Sequence, residues 1–237
     1  MARTLAALLS AALICFIPAA GHADSMTFNA SGTANGGDGP LSASAVITPG
    51  SGTITIVLTN TLAASTIRDN GQALSDISFT ISGTPGAITG SSASGQLGNI
   101  SGGVVTYAAG DPNRWIGTGH LGISGNVLTL DVIGGGQPSE MIFPNLVNGG
   151  TYSNLNPGMD FNPYVIGPGT FVIDLPGVTT NTTFSNVTFS FGTGPDTDLP
   201  GTPAPIPEPS SLLLLGTGIL GAAGAMRSRI AWGLKRA

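Results

Sequence analysis

Apolar and polar residues alternate along much of this chain with the two-residue period of a half-buried β-strand. In Thr53-Ile54-Thr55-Ile56-Val57-Leu58-Thr59, the side chains of Ile54, Ile56 and Leu58 fall on one face. Ile77, Phe79 and Ile81 alternate with Ser78 and Thr80, and Leu128, Leu130 and Val132 alternate with Thr129 and Asp131. Phe171, Ile173 and Leu175 repeat the device, as do Val187, Phe189 and Phe191 against Thr188 and Ser190. β-Branched and aromatic side chains suit such pleated, half-buried positions. Turn clusters separate the runs: Asp69-Asn70-Gly71, Gly83-Thr84-Pro85-Gly86, Gly134-Gly135-Gly136 and Asn148-Gly149-Gly150. No window between the two ends reads as an amphipathic helix. Short strands with one buried face each need a second sheet to cover them. The expected fold is therefore all-β: an antiparallel β-sandwich, Ig-like or jelly-roll-like, over residues 24–192, with a barrel as the alternative.

Both ends break the alternation with continuous apolar runs. Residues 1–23 read as a secretory signal peptide for the Sec export machinery and predict an N-terminal signal helix. Arg3 supplies the positive start, Leu5 to Ile17 the apolar stretch, and Gly21-His22-Ala23 a small-residue cleavage site, so cleavage falls between Ala23 and Asp24. At the other end, Leu212 to Met226 carries no charge. As a helix it would be about 22 Å long, shorter than the roughly 20 residues of a comfortable bilayer span. Arg227, Arg229, Lys235 and Arg236 follow as a basic stop that favours the cytoplasmic side. Pro207 and Pro209 flank Glu208 and hold it extended and accessible. The Gly- and Pro-rich tract 193–206 reads as a linker between the sandwich and this tail.

Taken in order, Pro207-Glu208-Pro209, the short apolar run and the basic terminus resemble the PEP-CTERM sorting signal of Gram-negative bacteria, here over residues 207–237. The resemblance implies processing by an exosortase, a membrane-embedded cysteine transpeptidase. It implies transient residence in the inner membrane, then delivery to the cell surface or extracellular matrix. Bacteria with this system produce exopolysaccharide, so a biofilm role and a polysaccharide partner are implied with it. Asp174 to Gly194 is also similar to the closing strands of many PEP-CTERM surface proteins.

Charge narrows the function further. Between Asp24 and Ile206 the only basic side chains are Arg68 and Arg114, against eleven carboxylates, which leaves nine net negative charges. No basic patch is available to neutralise phosphates, so nucleic acid is excluded as a partner. The single cysteine, Cys15, lies in the signal peptide, so the exported part has neither disulfides nor thiolate chemistry. With 8% charged and 41% hydrophobic residues, the chain lacks the composition of a disordered protein.

Candidate chemistry is sparse. His120 is the one histidine after the signal peptide, and Ser124 in Gly122-Ile123-Ser124-Gly125 lacks the pattern of a nucleophile elbow. A lone imidazole without thiolates does not make a zinc site. A carboxylate pair could hydrolyse glycosidic bonds if two faced each other, and Glu140 is the only glutamate before the tail. Calcium would suit the loop oxygens of Asp69-Asn70 and Asp196-Thr197-Asp198, though neither has EF-hand spacing and both read first as turn or linker residues. Trp115, beside Arg114, offers an aromatic platform for a glycan, with Tyr107, Tyr152 and Tyr164 in support. The sequence thus predicts a non-enzymatic surface or matrix protein with no catalytic residue, cofactor or metal. The alternatives are a glycan-binding module using Trp115 and a polymer hydrolase using His120 or a carboxylate pair.

Overall fold

The computed structural model describes residues 24–134, 137–146, 150–156, 161–194, 197–205 and 217–218. The chain divides into two compact units, Met1–Ala204 and Pro205–Ala237. The first unit opens with three long strands: β1 (Met26–Thr33), β2 (Pro40–Pro49) and β3 (Thr53–Asn60). β4 (Leu74–Ile81) follows, then β5 (Gly90–Ser94), β6 (Leu97–Ser101) and β7 (Val104–Ala108). β8 (Leu121–Ser124), β9 (Val127–Asp131), β10 (Ile142–Phe143) and β11 (Tyr164–Ile166) come next. β12 (Gly169–Asp174), β13 (Phe184–Phe191), β14 (Thr197–Pro200) and β15 (Thr202–Pro203) complete the set.

These strands form two sheets. One has the order β15-β1-β2-β3-β12-β5, the other β14-β13-β4-β10-β11-β6-β7, with β9 also on β4 and β8 on β9. Their inner faces share one hydrophobic core. Ile54, Ile56, Leu58, Phe171 and Ile173 of the first sheet are fully buried, as are Ile77, Phe79, Ile81, Leu128, Leu130, Phe189 and Phe191 of the second. The alternation read from the sequence thus places its apolar residues inward. Side-chain amides knit the polar interior: Asn60, buried at the end of β3, donates to the carbonyl oxygens of Gln72 (2.8 Å) and Ile142 (3.3 Å). Gln72 in turn accepts from the Arg68 amide and donates to the Pro40 carbonyl. Such pairing is what makes buried amides tolerable.

Two expectations are corrected. The sheets are not wholly antiparallel, because β10 and β11 pair in parallel, with Ile142 opposite Val165. The long connection between Phe143 and Tyr164 gives the chain room to return in the same direction. The tract 193–206 is not simply a linker either. Within it, β14 pairs with β13 (Phe189 opposite Leu199), and β15 pairs with β1 (Phe28 opposite Pro203). This strap closes one edge of each sheet. Edge strands are where proline is tolerated, since a missing N–H costs no inner ladder bond there. At the corner, a Cβ on Gly201 would lie 3.0 Å from side-chain atoms of Val187 and Phe189. The last main-chain bond of the domain runs from the Ala204 N–H to the Thr27 carbonyl, at 2.8 Å.

The expected signal helix lies outside the described residues, and so does the C-terminal hydrophobic helix apart from Thr217 and Gly218, which are helical. Among the described residues, no helix is long and apolar enough to cross a membrane.

Candidate functional site

Trp115 sits on a short 3-10 turn, Asn113–Ile116, between β7 and β8. It is fully buried, with its ring centroid 5.2 Å from that of Phe171 and its Nε1–H donating to the Glu140 carbonyl at 2.7 Å. Glu140 reaches this position with a φ of 62°. Its side chain also accepts the Arg114 amide at 2.7 Å, and the Arg114 guanidinium donates to the carbonyls of Val132 and Gly134. Burial pushes the Glu140 carboxyl above its ordinary range, while the Arg114 amide bond and the charges of Arg114 and His120 pull it back. Arg114, Trp115 and Glu140 therefore lock one end of the core. The expectation of Trp115 as a glycan platform is corrected: its ring has no face in solvent.

The three tyrosines divide. Tyr152 donates its hydroxyl to the Pro144 carbonyl, Tyr164 donates to Asn70 Oδ1, and both are buried around Phe143. Burial raises the Tyr152 phenol far above its ordinary value. Tyr107 on β7 is 51% exposed.

Ionisable groups gather instead on the outer face of the nine-stranded sheet. Asp76 is the cross-strand partner of Asp131 on one side and of Ser190 on the other, and Ser190 is paired with Asp198. Ser190 donates to Asp198 at 2.6 Å. His120 extends the row, with Nδ1 buried and 3.6 Å from Asp131 Oδ1, beyond hydrogen-bonding distance. Asp131 Oδ1 already accepts the amides of Ile133 and Gly134. Burial, then repulsion from Asp131 and Asp198, raises the Asp76 carboxyl to about 7. Asp76 and Asp131 thus make a cross-strand carboxyl pair in which Asp76 is poised to hold its proton close to neutrality. Strand register created this pair, and no local motif could have announced it.

Other sequence candidates find structural partners. Asp69 accepts the Gly71 amide at the start of a 3-10 turn, and Asn70 is held by Tyr164. Ser124 ends β8 in an exposed position, and no described serine hydrogen-bonds the His120 ring. Among the described residues, no group of three or more His, Cys, Asp or Glu converges as a metal site.

The outer face of the six-stranded sheet has different chemistry. Thr27, Asn29 and Ser31 of β1 lie beside Val46, Ser44 and Ser42 of β2, and Ser44 and Thr48 lie beside Thr59 and Thr55 of β3. Asp174 is the one ionisable side chain on the strands of this sheet. A groove of about 570 Å³ opens there, lined by Asn29, Ser31, Ser42, Thr61, Pro200 and Thr202 among others. The hydroxyls of Ser42 and Thr61 hydrogen-bond at 2.6 Å on its wall.

Asp24 is exposed, while Ala23, Pro207, Glu208, Pro209, Arg227, Arg229, Lys235 and Arg236 lie outside the described residues. Residues 205–229 match the family model of the PEP-CTERM protein-sorting motif. The chain therefore carries the signal of an exported protein processed by an exosortase, in keeping with the resemblance read from its residues. No curated protein and no solved structure matches the chain.

Proposed function

We propose that this chain is a non-enzymatic protein of the Gram-negative cell surface or extracellular matrix, whose β-sandwich domain binds neutral exopolysaccharide in a biofilm. The observation that carries the reading is the groove on the six-stranded sheet, with its Ser, Thr and Asn lining. Hydroxyl and amide groups both donate and accept, as sugar hydroxyls do. The strands repeat them at a spacing of about 4.8 Å. A neutral polymer meets no charge there, whereas an anionic one must approach a domain carrying nine net negative charges. The glycan contact thus moves from Trp115 to Asn29, Ser42 and Thr61.

The test is retention on the host's neutral polysaccharide. An Asn29→Ala, Thr61→Ala double variant is expected to lose about tenfold in affinity, worth roughly 1.4 kcal/mol. Equal retention of variant and wild type would sink the groove as the contact.

A second reading, polymer hydrolysis, draws on the Asp76–Asp131 cross-strand pair, in which burial and the neighbouring carboxylates raise the Asp76 carboxyl to about 7 and suit it to act as an acid. Turnover of polysaccharide that disappears in Asp131→Asn would favour it over the binding role.

A further inference from the structure

Among the described residues only Val104, Tyr107 and Val127 are large apolar side chains that stand exposed, and two of them lie on β7. β7 is the last strand of the nine-stranded sheet, paired with β6 alone. The sequence Val104-Val105-Thr106-Tyr107-Ala108 has high β-propensity, no proline and no charge. Natural sheets blunt such edges, and this domain does so at three others, while β8, paired only with β9, is an edge of just four residues whose large side chains, Leu121 and Ile123, are half-buried. β14 carries Asp198 and Pro200, β15 has only two residues including Pro203, and β5 has no side chain larger than serine.

The register shows which main-chain groups β7 leaves open. Ile100 of β6 has its N–H and carbonyl bonded by the Asn162 side chain, on the side away from β7. Ile100 and its partner Val105 are therefore a non-hydrogen-bonded pair, and the Val105 N–H and carbonyl point to the free edge. Tyr107, two residues on, points the same way. The Gly103 carbonyl, with the same parity, is bonded by the Tyr152 N–H at 2.9 Å, which covers the edge before Val104. No described residue outside β6 bonds the main chain of Val105 or Tyr107.

We propose that β7 is a self-association strand, pairing antiparallel with β7 of a second copy about a two-fold axis through Thr106. In this register Val105 exchanges main-chain bonds with Tyr107 of the second copy, and Tyr107 with its Val105. The same alignment sets an aromatic beside a β-branched side chain on the inner face, a favourable cross-strand pair. A two-fold contact is self-complementary by construction. The neutral strand also lets two strongly acidic domains meet where neither carries charge, so salt should strengthen the pairing. The inference is independent of the polysaccharide groove, which lies on the other sheet.

The test uses the full chain with Cys15→Ser, so that an introduced cysteine is the only thiol. Thr106 faces its own copy in a non-hydrogen-bonded pair, where Cα atoms are about 4.5 Å apart, within disulfide range. Under mild oxidation Thr106→Cys is expected to give a product of twice the chain mass. Val104→Cys is expected to give none, because two copies of Val104 would stand about 14 Å apart along the strands. Adding Tyr107→Lys should abolish the Thr106→Cys product while the circular dichroism spectrum stays that of the wild type. Equal products from Thr106→Cys, Val104→Cys and Ser92→Cys would mean random collision and overturn the proposal. So would a mixed disulfide with a different protein, or no dimer by crosslinking and none by sedimentation at about 0.1 mM.

Discussion

The two outer faces of the domain are built on the same pleat and carry opposite chemistry. The six-stranded sheet presents short hydroxyls around Ser42 and Ser44, with Asp174 as its one ionisable side chain. The nine-stranded sheet presents His120, Asp131, Asp76, Ser190 and Asp198 in one lateral row. The difference teaches that net charge says little about a surface until strand register has sorted it. Carboxylates scattered along the sequence leave one face with Asp174 alone and crowd Asp76, Asp131 and Asp198 together on the other.

The strongest way to break this comparison is to remove the core on which both faces rest. Trp115→Ala deletes the ring packed on Phe171 and leaves the Glu140 carbonyl without its donor. A loss of about 3–5 kcal/mol in urea-induced unfolding is expected. Both faces should fail together, groove binding included.

A smaller change sharpens the acidic face. The Asp76 carboxyl is raised from 3.8 to about 7 in the folded state. The folded chain then binds more protons than the unfolded chain between these values, so wild-type stability falls as pH rises from about 4 to about 7. Asp76→Asn should flatten that fall, and above pH 7 it should be the more stable chain by up to roughly 4 kcal/mol. Thermal melts at several pH values read this directly, and parallel curves for the two proteins would contradict it.

The smallest expected effect on stability comes from adding charge to the hydroxyl-rich face. Ser44→Asp places a carboxylate on a half-buried outward position of β2, between Asn29 and Thr59. Stability should change by only about 0.5–1 kcal/mol, whereas retention on neutral polysaccharide should drop clearly. Unchanged retention would separate the groove from the rest of its sheet.

Legibility in the sequence followed side-chain size. β3, β4, β9, β12 and β13 were readable because Ile, Leu and Phe mark their inner faces against Thr and Ser. β5 and much of β6 were not, since Gly, Ser and Ala give alternation little contrast, and β7 was not because adjacent Val104 and Val105 put apolar side chains on both faces. Pro200 and Pro203 pointed to a linker because proline is excluded from inner strands, although edges accept it. Trp115 was visible as a residue but not as a buried one, since its place depends on a carbonyl twenty-five positions away. The Asp76–Asp131 pair needed a register that no local pattern encodes. The sorting signal was legible because its parts are contiguous and act in order along the chain.

The strap has a consequence in time. Phe28, among the first residues of the domain, lies opposite Pro203, among the last. Each sheet therefore waits for the final segment before one of its edges is shut. A chain emerging amino end first can form the hairpin of β1 and β2 early, but it cannot finish either layer until residues 197–204 are free. Such closure between distant positions is slow to form. Completion of both sheets only once the last strands are free is thereby built into the order of the strands.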